Sequence, residues 1–232
     1  MPAAMALPKL VTLPRHPTDL CTTLQVNSPT GDHPVSSTRQ TEHPIHPLFT
    51  QRWSPRAFTG EAISEEQLLT LLEDARWAPS AYNAQPWRWI HVRRDTAHWA
   101  PIFESLVEFN QGWAQHAAAL LVLVSAKQAV FPGKPAAAPN AWHSFDSGAA
   151  WASLAFQATL SGLASHAMAG FDEPRLREAI QLPETHAIET VIAVGKPGRP
   201  DRLPEALRAR ETPNGRLPLA DVAFEGRFKS NS

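Results

Sequence analysis

Three side chains in the run Arg52-Trp53-Ser54-Pro55-Arg56 carry polar chemistry at alternating positions. In an extended backbone alternate residues point to one side, so Arg52, Ser54 and Arg56 form a fork of two guanidinium groups and a hydroxyl. A guanidinium grips phosphate through paired charge-assisted hydrogen bonds, and serine adds a compact donor, so the fork suits a phosphorylated ligand. Taken alone, two arginines on a solvated strand are the commoner meaning of that spacing. A second candidate is the loop Pro79-Ser80-Ala81-Tyr82-Asn83-Ala84-Gln85. Its hydroxyl, phenol and two carboxamides donate and accept hydrogen bonds without charge, which suits a neutral polar ring system better than a metal or a phosphate. The bland alternative is a helix-to-strand connection made polar by solvent.

These groups need elements to hold them. Ser64 and Gln67 form a capping-box pattern, with Ile63 and Leu68 as a hydrophobic staple, and Leu68, Leu71, Leu72 and Ala75 recur at helical spacing. The pattern predicts a helix from Ser64 to Trp77, stopped at Pro79. The residues before proline, Ala78 and Gln85, are expected to be extended. Trp87 to Val92 reads as a strand, followed by a turn at Arg93-Arg94-Asp95. A helix is expected over residues 99–110, leaving Asn110 at its end, either as a ligand contact or simply as an Asn-Gly stop. Residues 118–125 are apolar almost throughout, as in a strand covered on both faces. Residues 128–141 read as a long loop that could act as a lid. Residues 146–167 have no polar face, so that helix is expected to be buried all round, against its own sheet and a second subunit. Gly170 then permits close backbone approach, Asp172 caps a helix over residues 175–180, and residues 189–196 read as a buried strand. The count of elements gives an α+β, or α/β sandwich, architecture with helices on both faces of a sheet.

With 43% hydrophobic and 19% charged residues among 232, the chain can bury a sizeable core. A formal net charge of −1 argues against nucleic acid or an anionic membrane as the main partner. The single cysteine, Cys21, excludes an intrachain disulfide and a cysteine-based metal framework. No apolar run is long enough to span a bilayer, and prolines interrupt the first residues, so a cytoplasmic protein is expected. Residues 1–42 lack periodicity and are expected to form an irregular or disordered arm, ahead of a single domain over residues 43–232. His43 and His46 read as a solvated pair, and no metal site is expected. Gly133-Lys134 lacks the rest of a phosphate loop, no dinucleotide glycine fingerprint occurs, and no Gly-x-Ser-x-Gly elbow surrounds Ser144 or Ser147. A hydrolase using either serine with Asp146 and a histidine is therefore disfavoured.

Taken in order, RWSPR, ARWAPSAYNAQPW, FNQ before an apolar strand, the Asp-Ser-Gly-Ala helix leading to MAGFD, and GRLPL resemble the nitroreductase family of FMN-dependent oxidoreductases over about residues 46–216. The resemblance implies a central mixed, mainly antiparallel sheet flanked by helices, and an intertwined homodimer with two FMN sites at its interface. It implies that Arg52, Ser54 and Arg56 hold the phosphate, ribityl chain and pyrimidine edge of the flavin. Pro79, Ser80, Ala81 and Asn83 would come from the partner subunit, and Asn110 would bond the pyrimidine ring. The backbone of Ala169 and Gly170 would lie against the flavin ring, and Arg216 would close on the phosphate. Asn214 stands where many relatives carry a second basic residue, so the phosphate would rest on Arg52 and Arg216. Trp113 stands where some carry lysine, which would alter nicotinamide or substrate contacts. The activity implied is NADH- or NADPH-dependent reduction of nitroaromatic, quinone or other electron-poor small molecules. A flavin reductase serving a monooxygenase and a non-catalytic flavin-binding protein are the alternatives.

Overall fold

A computed structural model describes residues 39–229, all within one compact unit, Val35–Ser232. Cys21 and all but the last four residues of the expected arm lie outside the described residues. The elements run α1 (Leu48–Gln51), α2 (Glu65–Arg76), β1 (Trp87–Arg93), α3 (Trp99–Phe103), α4 (Glu108–Ala114), β2 (Ala119–Ala126), β3 (Gln128–Ala129), β4 (Ala138–Pro139), α5 (His143–Leu160), β5 (Ala164–Met168), α6 (Glu173–Ala179), β6 (His186–Gly195) and α7 (Glu205–Arg208).

Four strands form the central sheet in the order β1-β2-β6-β5, and every described pair is antiparallel rather than mixed. The apolar run of β2 lies between two neighbours and is buried on both faces. Its alternate residues divide the interior in two, as the period of a strand requires. Leu120, Val122 and Val124 face a core with Phe58, Ile102, Leu106, Trp113 and Leu176. Leu121 and Leu123 face a second core with Leu68, Leu71, Ala75, Ala150 and Leu154 from α2 and α5. The expected α+β sandwich is present, with α3, α4 and α6 serving one face and α2 and α5 the other.

Several ends follow from local chemistry. Ser64 accepts from the Gln67 backbone N–H at 3.1 Å, while the Gln67 side chain accepts from the Ser64 N–H at 3.0 Å, so the predicted capping box starts α2. Asp172 caps α6 by accepting from the Arg175 N–H at 3.1 Å. His46 is part of a local turn, its Nδ1 accepting from the Leu48 N–H at 3.2 Å.

Three expectations are corrected. The helix expected over residues 99–110 is two helices. Residues 105–107 are drawn beside residues 170–172, where Asp172 N–H donates to Ser105, Val107 N–H donates to Gly170, and Leu106 bridges Phe171. The long apolar helix ends at Leu160, because Gly162 turns the chain at φ +68°. Residues 164–168 are instead strand β5, paired with β6 from Ala164↔Gly195 to Met168↔Val191. The 128–141 segment is also not wholly irregular, since β3 and β4 pair within it.

Candidate functional site

After α1 the chain leaves the helix in extended geometry, with Arg52 at φ −64° and ψ 122°. Arg52 Nη1 donates to Ser54 Oγ at 3.2 Å, so these two fork members share one side, as alternation requires. The exit of this segment is fixed by the sheet margin. Phe58 bridges Pro197, and Gly198 N–H donates to the Ala57 carbonyl at 2.8 Å. A Cβ on Gly198 would meet the Phe58 carbonyl carbon at 2.7 Å, so only glycine permits this approach.

Glu211, from the segment after α7, holds the fork from the other side. Its Oε1 accepts from the backbone N–H of Arg56 at 2.6 Å and of Ala57 at 2.8 Å. Its Oε2 lies 3.9 Å from Arg56 Nη1, an ion pair without a hydrogen bond, and Arg56 Nε is buried without a partner. Below the fork, His166 Nδ1 meets the Pro55 carbonyl at 3.0 Å, and its ring lies 4.7 Å from that of Trp113. Burial pushes the His166 imidazole down to about 4. The charges of Arg56 and Arg52 add to this, against hydrogen bonds to the carbonyls of Pro55 and Ser54. Trp113 is 1% exposed and also stacks on Phe58. It packs beneath the fork within the core, so the indole at the position expected to alter nicotinamide or substrate contacts is itself buried.

Arg52 also feels the charge of Arg216. Burial lowers the Arg52 guanidinium's affinity for its proton, and the charges of Arg216 and Arg39 lower it further. Arg216 itself is exposed, with Nη1 donating to the Gly215 carbonyl at 2.8 Å. Arg39 was not picked out from the sequence. Its Nη1 donates to the carbonyls of Thr50 at 3.1 Å and Arg52 at 2.9 Å. The only available signal was its type, because the residues around it have no periodicity.

Asn110 lies inside α4 rather than at a helix stop, and it is buried. Its Nδ2 donates to the Gly170 carbonyl at 2.9 Å. A Cβ on Gly170 would fall 2.8 Å from Asn110 Nδ2 and 2.9 Å from Val107 Cγ2. The predicted pair of Asn110 and Gly170 is thus one tightly fitted unit, with Ala169 exposed beside it.

The polar loop after α2 is held differently. Tyr82, Asn83 and Gln85 have φ of +53°, +54° and +46°, a left-handed geometry that side chains rarely adopt. Gln85 is therefore not extended as expected; its N–H donates to Ser80 Oγ at 3.0 Å, and that turn overrides the pre-proline preference. Ala81 N–H donates to the buried carboxylate of Asp146 at 3.1 Å. Among the described residues, no hydrogen bond or ion pair joins residues 79–83 to the Arg52–Arg56 segment or to Gly170. The loop follows the α2 and α5 face of the sheet, while Ala57 and the supports of Asn110 belong to the other. The loop and the arginine fork are thus separate features of one chain.

Ser144 Oγ lies 3.3 Å from His143 Nδ1, but Asp146, the acid that a hydrolase reading pairs with them, is turned to Ala81. Ser144 donates to Glu189 at 2.9 Å, and Ser125 Oγ lies 2.7 Å from His143 Nδ1 and also meets Glu189. Asp146 is committed to Ala81, and Ser147 Oγ is buried without a partner.

The antiparallel sheet between helical layers defines an α+β sandwich, with the Arg52–Arg56 segment leading to its margin at Phe58. Residues 49–196 match the model of the nitroreductase family, and the chain belongs to that family of oxidoreductases. It is 30% identical over 201 residues to a Thermus thermophilus protein named NADH dehydrogenase, covering 75% of this chain and 92% of that one. A solved structure described as an oxidoreductase containing FMN is 45% identical, with a TM-score of 0.81 over 84% of this chain and 98% of that one. The nitroreductase family protein of Streptococcus pneumoniae shares the fold at 19% identity and a TM-score of 0.61, over 77% and 98%. Among the described residues, no helix is long and apolar enough to cross a membrane.

Proposed function

We propose that this protein is a homodimeric flavoenzyme that binds FMN and uses NADH or NADPH to reduce nitroaromatic, quinone or related electron-poor small molecules. The observation that carries this reading is the pairing of Arg52 with Ser54 on one side of the extended segment, with the charge of Arg216 acting on Arg52, together with the fitted pair of Asn110 and Gly170. A half-buried guanidinium that feels a second positive charge is favoured by an anion that joins the two, and a phosphate answers that need. The uncharged donors elsewhere in the site suit a polar ring, so the residues present fit FMN.

When bound, FMN supplies hydride acceptance from a nicotinamide and hydride donation to the acceptor, and the hard chemistry is its own. The chain's work is binding and electrostatics. Arg52 and Arg216 anchor the phosphate, and Ser54 donates to the ribityl region. Arg56 presents a positive charge to the pyrimidine edge, held in place by Glu211 along its backbone. Asn110 and the backbone of Ala169 and Gly170 form the wall against the ring. One open pocket serves nicotinamide and acceptor in turn, a ping-pong order.

Pro79, Ser80, Ala81 and Asn83 of a second copy complete the site. Support comes from their separation from the arginine fork within one chain and from α5. Phe145, Gly148, Ala152 and Leu160 lie exposed along one side of that helix at helical spacing, beside the half-buried Phe156. A surface of this kind, opposite the buried side of the same helix, is suited to a second copy of itself.

The test is an absorption spectrum of protein loaded with FMN, repeated after anaerobic addition of each nicotinamide. Bleaching followed by recolouring on adding a nitroaromatic or quinone is expected. A stable yellow complex that neither nicotinamide bleaches contradicts an enzyme. Turnover with free FMN, but with neither acceptor class, points to a flavin reductase instead.

A further inference from the structure

The carboxylate of Glu211 does two separable things at Arg56. One oxygen, Oε1, accepts from the backbone N–H groups of Arg56 and Ala57, at 2.6 and 2.8 Å, which fixes the main chain of the fork. The other, Oε2, is buried without a hydrogen bond and lies 3.9 Å from Arg56 Nη1, while Arg56 Nε is buried without a partner as well. The first task needs only an acceptor oxygen, which a glutamine would supply equally. The second is a matter of charge. A buried ion pair kept for stability closes to hydrogen-bond distance, because a buried charge without such bonds is strongly destabilising. This pair stays open although the turn that carries Glu211 is well anchored. Leu203 and Leu207 seat that turn in the same core as Ala57 and Phe58, and Glu211 N–H donates to the Arg208 carbonyl at 3.1 Å. The Glu211 side chain is 1% exposed, against 18% for that of Arg56. Arg56 is therefore compensated in charge without being captured, and among the described residues its guanidinium makes no hydrogen bond.

We infer that Glu211 is a positioning residue for the flavin chemistry: through the open ion pair it offsets part of the Arg56 charge and so sets how strongly the site favours reduced over oxidised FMN. This rests on the reading above in which Arg56 faces the pyrimidine edge. Reduction places negative charge on that edge, so a nearby cation favours the reduced form and a nearby anion opposes it. Arg56 acting alone would bias the exchange towards uptake of hydride from nicotinamide, at the expense of its transfer to an acceptor. A carboxylate behind the guanidinium moderates that bias, and its burial keeps salt from screening it away.

The experiment measures the reduction potential of bound FMN, by absorbance titration against a reference dye, in the parent protein and in Glu211→Gln. Glutamine keeps an oxygen for the Arg56 and Ala57 N–H groups and removes the charge. Oxidised FMN should bind within about threefold of the parent, whereas the preference for reduced FMN should grow about tenfold, a rise of about 30 mV for a two-electron couple. Stopped-flow absorbance should then show faster reduction by nicotinamide and slower reoxidation by a quinone. An unchanged potential would leave Glu211 only a brace for the main chain and overturn the inference, as would an equal loss of affinity for both flavin states. A second comparison does not depend on how well that variant folds: Arg56→Gln against Arg56→Gln combined with Glu211→Gln. The single variant leaves the carboxylate unopposed and should have the lower potential of the two, and equal potentials overturn the inference. A parent protein that binds no FMN, or an Arg56→Gln variant with the parent's potential, overturns the underlying reading of the site, results distinct from those above.

Discussion

The buried carboxylate of Asp146 accepts a hydrogen bond from the backbone N–H of Ala81 at 3.1 Å, across 65 residues of sequence. Asp146 is in the first turn of α5, so this long helix reaches out through one acid to fix the polar loop after α2. The loop needs such a tether because three of its residues hold left-handed backbone angles. Asp146→Ala should lower stability to urea by about 1.5–3 kcal/mol, the cost of losing a charged hydrogen-bond partner. It should also weaken FMN by about tenfold or more, because in the proposed dimer the loop completes the site of the other copy. Asp146→Asn keeps an acceptor oxygen and should be milder in both measurements.

Arg52 should carry much of the cofactor affinity. Arg52→Ala removes a guanidinium that bonds Ser54 and faces Arg216, and the FMN dissociation constant should rise about ten- to a hundred-fold. Titration of apoprotein with FMN checks this. A mutant that holds FMN as tightly as the parent would remove the fork from the phosphate.

Gly170→Ala places a methyl 2.8 Å from Asn110 Nδ2 and 2.9 Å from Val107 Cγ2. Asn110 is buried and bonded to the Gly170 carbonyl, so it must shift out of its position. Overpacking of this kind costs about 1–3 kcal/mol. The fold should survive while reduction of bound FMN by nicotinamide slows, read by anaerobic stopped-flow absorbance. An unchanged rate with an unchanged melting temperature would mean that the 110–170 contact does not shape the site.

Much of the scaffold was legible in the sequence, for reasons that differ by element. The capping box of Ser64 and Gln67 is local chemistry and marked the start of α2 without help from the rest of the chain. The apolar run of β2 announced burial on both faces. By contrast, Ile102, Phe103, Leu106 and Phe109 read through as one helix, because the break between α3 and α4 is made by pairing with residues 170–172. Small residues hid β5, since Ala164 to Ala167 continue the composition of α5 and only Gly162 marks the boundary. The fork at Arg52 and Ser54 was visible as alternation, but Arg39 was not. What brings it there is hydrogen bonding to carbonyls 11 and 13 residues away, for which no periodicity exists. The burial of Trp113 was not legible, because a tryptophan in an otherwise polar helix end does not reveal which side it faces.

His166 makes stability fall in acid. Its imidazole is held at about 4 in the folded chain, against an ordinary value of 6.5, chiefly by burial. Between those values the unfolded chain binds the extra proton, so stability is full above about pH 6.5 and declines as pH falls toward 4. The total effect is at most about 3 kcal/mol. His186 is also lowered, chiefly by burial, and acts in the same direction. Urea midpoints between pH 7.5 and 5 should therefore fall less in His166→Gln than in the parent. Equal slopes in the two proteins would mean that His166 takes no part in the acid response.

The central claim is that two copies of this chain enclose FMN, each lending residues 79–83 to the arginine fork of the other. Sedimentation of FMN-loaded protein, followed in the flavin absorption band over a dilution series, tests it most directly. The flavin colour should travel with a particle of twice the chain mass and be released as dilution splits that particle. Flavin that stays bound to a single chain, or protein that sediments colourless in excess FMN, would contradict it.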